Sequence, residues 1–184
     1  GGLTTYNTVN CNDDLWHFAV ATRFVEDGKI KLYIDGELIS EYTSGTGTIY
    51  LDADIKLGIN VLGQDSYDGL LNEFSIWNTA LSESEIQSYM TTSPTGNESD
   101  LVGYWNFNEN AGSTLTDLTS NSNDGTIYGA IWSDDVPETS SGSTGGTNVV
   151  SWTSTADETA MTRDDLTLTN GSTYYVSSRA LDNV

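Results

Sequence analysis

Acidic residues outnumber basic ones by 27 to 6 in this chain of 184 residues, a formal net charge of −21. A surface of that sign repels phosphate backbones and anionic membrane leaflets, and no apolar run approaches the ~18 residues of a membrane span, which argues against nucleic-acid and membrane partners. The same charge suits work among divalent cations or in high salt, or is simply a solvated acidic face.

Ten Tyr and five Trp supply material for a packed core, while 18 Gly with many Thr, Ser and Asn point to strands and turns. Cys11 is the single cysteine, so no intrachain disulfide forms, and a buried structural thiol is expected. The chain opens on "GGLTTYNT" and stops at "RALDNV", which reads as an excerpt of something longer.

The first strand pattern is "DLWHFAVATRF", with Trp16, Phe18, Val20, Thr22 and Phe24 alternating on one face. Asp27-Gly28 and Asp35-Gly36 flank "KIKLYI"; Asp-Gly between alternating runs marks a hairpin, because both residues tolerate positive φ. Residues 15–42 therefore read as a three-stranded antiparallel meander. "TIYLDADIKLGIN" (48–60) and "GLLNEFSIW" (69–77) supply further strands.

A helix follows. Ser82 is a good N-cap, Glu85 three residues on completes a capping box, and Leu81 and Ile86 stand at the staple positions. About two turns are too short to be stable alone, so the helix must be a lid held down by its apolar side chains. Beyond the polar connection 91–100, "LVGYWNFNEN" and "GTIYGAIW" read as strands. A linker covers 134–147, and "NVVSW", "LTLT" and "STYYVSSRAL" are again short strands.

"LWHFAVATRFVEDGKIKLYIDGELI" and "YDGLLNEFSIWNTALSESEI", in this order and spacing, resemble the two marker blocks of laminin-G-like and pentraxin-like domains. "DLVGYWNFNENAGSTLTDLTSNSNDGTIYGAIW" resembles the segment that follows in bacterial secreted multidomain versions. The resemblance implies an all-β, antiparallel jelly-roll sandwich of the concanavalin type over 1–133, lacking its N-terminal half. "LTLTNGSTYYVSSRALDNV" resembles the later strands of a fibronectin type III module, which implies a partial second sandwich over 148–184. The apolar face of Trp16, Phe18, Val20, Ile30, Leu32, Ile34, Phe74 and Ile76 is then expected to be buried against a neighbouring domain, another chain or another copy.

Jelly rolls also host laminarinase-type glycosidases, whose paired carboxylates sit about 5–5.5 Å apart in retaining enzymes. In that family they lie on one strand as Glu-x-Asp-x-x-Glu, and the chain has no such motif, so it reads as a non-enzyme. His17 is the single histidine, which excludes a cluster of histidine ligands within the chain, and it reads as a half-buried structural residue.

"GQDSYDG" (63–69) resembles the calcium-binding segment of pentraxin-like domains, which implies Gln64, Asp65 and Asp68 as oxygen ligands for a hard ion. The residues also fit a plain Asp68-Gly69 turn with a solvated Asp65. A second oxygen-rich run carries Asp117, Asn121, Asn123 and Asp124, the composition of Asx-turns as well as of ion sites. Among the aromatics, Tyr67, Trp77 and Tyr128 are candidates for stacking on the apolar faces of pyranoses, while Trp16 and Trp105 read as core.

The expectation is a secreted or cell-surface binding module recognising a glycan or cell-surface polysaccharide, with calcium as an aid. A ligand-free spacer or assembly module is the alternative, and an accessory domain of a glycoside hydrolase the third reading.

Overall fold

The computed structural model describes residues 3–43, 46, 55–59, 66–137, 149–152, 160–162 and 175–182. The meander is present as β2 (Trp16–Arg23), β3 (Lys29–Ile34) and β4 (Glu37–Thr43), with β1 (Leu3–Thr5) added antiparallel to β4. The β3–β4 turn uses positive φ at Asp35 (51°) and Gly36 (78°), as an Asp-Gly hairpin requires. Most of the 48–60 strand expected from the sequence, the 166–169 strand and most of the linker lie outside the described residues.

Strand β5 (Gly69–Trp77) is buried at every position, so both of its faces are covered. Its bulge at Glu73, φ 57°, coincides with a register shift against β12 (Tyr175–Asp182). The Glu73 carboxylate accepts from Ser93 Oγ at 2.5 Å, tying the segment after the helix to the centre of the sheet.

The large sheet runs β1-β4-β3-β2-β12-β5-β10-β9, with β10 (Val149–Trp152) and β9 (Ile131–Ser133) at one end and β6 (Leu101–Trp105) also paired to β5. A second sheet is formed by β11 (Ala160–Thr162), β8 (Gly125–Tyr128) and β7 (Thr114–Leu115). This differs from the expected separate module over 148–184. Instead, β12 lies antiparallel between β2 and β5, and β10 bridges β5 and β9. The physical reason is that β2 and β5 would otherwise each present a row of unpaired backbone groups inside the sheet.

Register also corrects the expected single apolar face. Val20 pairs with Tyr33 and Ala21 with Leu32, and cross-strand partners share a face. Ala21 also lines up through Val176 with Ile76. Phe18 and Val20 therefore lie on one side of the sheet, and Ile30, Leu32, Ile34, Phe74 and Ile76 on the other.

On the first side, Phe18, Val20, Tyr33, Trp77 and Tyr104 pack with Leu81 and Ile86 around helix α1 (Glu83–Tyr89). Ile86 is 0% exposed, and a fully buried side chain of this size contributes about 1.5–3 kcal/mol, so tertiary burial rather than propensity holds this short lid. The capping box is present: Glu85 N–H donates to Ser82 Oγ at 3.3 Å and Ser82 N–H to Glu85 Oε2 at 2.7 Å. Gly36 lies directly beneath α1, where an added Cβ would meet Met90 Sδ at 2.7 Å. On the second side, Leu71, Phe74, Ile76 and Trp105 pack with Phe107, Leu115 and Ile127, which bring in the small sheet.

Candidate functional site

Tyr67 and Asp68 precede β5 directly. Tyr67 N–H donates to Gly58 O at 2.7 Å, which joins the 55–59 segment to the entrance of the strand. Gly58 has φ 77°, a conformation that turns the chain back towards Tyr67. Between these segments and the second-side core lies a cavity of about 420 Å³. Leu57, Ile59, Tyr67, Leu71, Phe74 and Phe107 bound it, with Lys56 exposed at its edge. Phe74 and Phe107 are each 0% exposed and back the cavity, and the Phe74 ring is held 5.4 Å from that of Trp105.

Sequence reasoning named Tyr67 as a stacking aromatic and did not single out Lys56, Leu57, Ile59 or Phe107, which line this cavity with it. The alternation of Ile55, Leu57 and Ile59 was the available signal, and it reads equally as an ordinary strand face.

The three candidate stacking aromatics are not brought together. Trp77 is 2% exposed, donates Nε1–H to Ser75 Oγ at 3.0 Å and packs its ring 4.9 Å from Tyr89 under the helix. It offers no face to solvent, because a large ring at the end of a strand covered on both sides is taken up by the core. Tyr128 alternates with buried Ile127 on β8, so it points outwards and is 48% exposed, beside Ile131 at 61%. Tyr67 stands at the opposite end of β5 from Trp77, about 30 Å away at the rise of an extended strand.

Of the calcium candidates, Asp68 is exposed, while Gln64 and Asp65 lie outside the described residues. No group of three His, Cys, Asp or Glu side chains suited to a metal is present among the described residues. In the second oxygen-rich run the protein itself fills the carboxylate of Asp117. Oδ1 accepts from Tyr104 N–H at 3.0 Å and Thr119 N–H at 2.9 Å. Oδ2 accepts from Thr119 Oγ1 and from Asn123 N–H, both at 2.8 Å. Asn121 and Asn123 donate their amides to Val102 O at 2.8 and 3.0 Å, so this loop is a staple onto β6.

His17 stands at the start of β2 between two carboxylates, Asp13 at 3.0 Å and Asp35 at 2.8 Å. Partial burial acts to lower its pKa, but hydrogen bonds to Asp35 and Asp13 outweigh that and hold it above the usual 6.5. The His17 hydrogen bond is also the main cause that holds the Asp13 carboxyl below its ordinary range. Cys11 is half-buried and takes part in no disulfide.

The chain is similar to one curated protein, the "Sushi, von Willebrand factor type A, EGF and pentraxin domain-containing protein 1" of Rattus norvegicus. They are 30% identical over 100 residues, 48% of this chain but 3% of that much longer protein. No solved structure matches the chain significantly. Among the described residues, no helix is long and apolar enough to cross a membrane. Residues 2–87, a little under half of the chain, match the laminin G-type family model described as "Concanavalin A-like lectin/glucanases superfamily", and the antiparallel sheets with a single helix among the described residues fit an all-β sandwich of that kind.

Proposed function

We propose that the chain is an extracellular or cell-surface binding module that recognises a glycan and forms part of a larger multidomain protein. The observation that carries this reading is the match of residues 2–87 to a superfamily of lectins and glucanases. The glucanase branch would need its paired carboxylates, and the chain has no Glu-x-Asp-x-x-Glu motif, which leaves recognition without catalysis. Of the three candidate stacking aromatics, Tyr128, 48% exposed, is the one whose ring is turned outwards and open to stack on a pyranose. Calcium, held by Gln64, Asp65 and Asp68, is proposed as an aid to that binding. Leu32 and Tyr42, 38% and 40% exposed on the face turned away from α1, are where a neighbouring domain or chain would complete the sandwich.

A glycan array probed with the 184-residue chain tests the reading, with Tyr128→Ala as the control. Saturable binding to one glycan class, lost in Tyr128→Ala at unchanged melting temperature, is expected. The spacer reading is favoured by the burial of Trp77, which removes one ring of the expected platform. It predicts no glycan binding with calcium present or absent.

A further inference from the structure

The cavity beside Tyr67 is the wrong chemistry for a sugar. A pyranose taken into it needs a hydrogen-bond partner for each hydroxyl that leaves water. Leu57, Ile59, Leu71, Phe74 and Phe107 supply none from their side chains; the Tyr67 phenol and the Lys56 ammonium are the polar side-chain groups among the described lining residues. Hydrocarbon placed against the same walls gains about 25 cal/mol per Å² of apolar surface removed from water. A volume near 420 Å³ falls within the range of pockets that enclose small organic ligands.

The charge at the edge narrows the class further. Lys56 has no carboxylate partner among the described residues, whereas Lys29 and Lys31 are both engaged by Glu41, at 2.9 and 3.8 Å. In a chain of net charge −21, a lysine with no carboxylate partner among the described residues, at the edge of an apolar cavity, favours an anion there.

We infer that this cavity binds a small amphipathic anion: an apolar body of hydrocarbon or fused rings, ending in one carboxylate or sulfonate that lies against Lys56. The site is separate from the proposed glycan contact at Tyr128 and stands or falls independently of it.

Titration of the intact 184-residue chain with anilinonaphthalene sulfonate tests the inference by fluorescence, with decanoate, decanol, decyltrimethylammonium and cellobiose as competitors below their micellar concentrations. The expected result is saturable binding at one site, displaced by decanoate about threefold more effectively than by decanol, the scale of an exposed ion pair. Ile59→Trp, which fills the cavity, should abolish binding while near-UV circular dichroism is retained. Lys56→Gln should make decanoate and decanol equivalent. Should Ile59→Trp not fold, Lys56→Glu decides, because reversing an exposed charge leaves the core untouched and should place decanoate behind decanol. Fluorescence unchanged by these variants, displacement by decyltrimethylammonium as effective as by decanoate, or displacement by cellobiose would overturn it.

Discussion

His17 Nδ1 lies 2.8 Å from Asp35 Oδ2, and the other oxygen of Asp35 accepts the Phe18 N–H at 2.9 Å, so one carboxylate ties the β3–β4 turn to the start of β2. With Nε2 bound to Asp13 at 3.0 Å, both ring nitrogens face acceptors, an arrangement that a doubly protonated imidazolium satisfies and a neutral ring does not. The folded-state pKa is raised, so the folded protein holds this proton more tightly than the unfolded chain. The stabilisation is therefore complete below the unfolded value near 6.5 and is lost as pH rises through the folded value. Thermal melts across that window should show a fall in melting temperature that His17→Gln removes. Identical profiles for the two proteins would mean that the proton is not shared in this way.

Asp117 is 5% exposed and accepts four hydrogen bonds, three of them from backbone N–H groups. Asp117→Ala should destabilise the fold by about 3 kcal/mol or more, since each buried donor left unpaired costs about 1–3 kcal/mol. Urea denaturation measures it. A change below about 0.5 kcal/mol, the scale of an ordinary surface substitution, would show that the 117–124 loop is not the staple described.

Calcium binding by Gln64, Asp65 and Asp68 should be saturable in calorimetry and raise the melting temperature by mass action. Asp65→Ala and Asp68→Ala should each weaken it, whereas Asp124→Ala should not, because Asp124 already accepts the Asp117 N–H at 2.9 Å. A melting temperature unchanged across millimolar calcium would favour the plain Asp68-Gly69 turn.

Strand β12 pairs with β2 from Val176 to Leu181 and with β5 from Tyr175 to Asp182. A chain ending at Pro137 should lose its cooperative transition and associate, because two strand edges inside the sheet are opened together. Size-exclusion chromatography and thermal melting of residues 1–137 beside 1–184 make the comparison. A truncated monomer as stable as the full chain would remove 175–182 from the fold and restore the two-module reading.

How legible a feature was depended on how far apart its participants lie in the chain. The Ser82–Glu85 capping box, the Asp35-Gly36 turn and strand β5 were readable because each rests on contacts or alternation within a few residues. Trp77 was misassigned to the surface, since alternation states that it opposes Ile76 but not which face a helix will cover. The Asp117 run was ambiguous for a similar reason: its composition suits an ion or a turn, and the Tyr104 N–H and Val102 O that engage the loop belong to another strand.

The sequence by itself therefore determined the all-β character, the hairpins, the capped lid and the resemblance carried by the two marker blocks, all consequences of local propensity and period. The tertiary structure decided which strands meet: β12 between β2 and β5, Phe18 and Ile76 on opposite sides, and Lys56 beside Tyr67 at one cavity. Strand pairing is chosen by burial and backbone satisfaction summed over distant segments, and a one-residue change of register exchanges the two faces of a strand, so local pattern does not fix it.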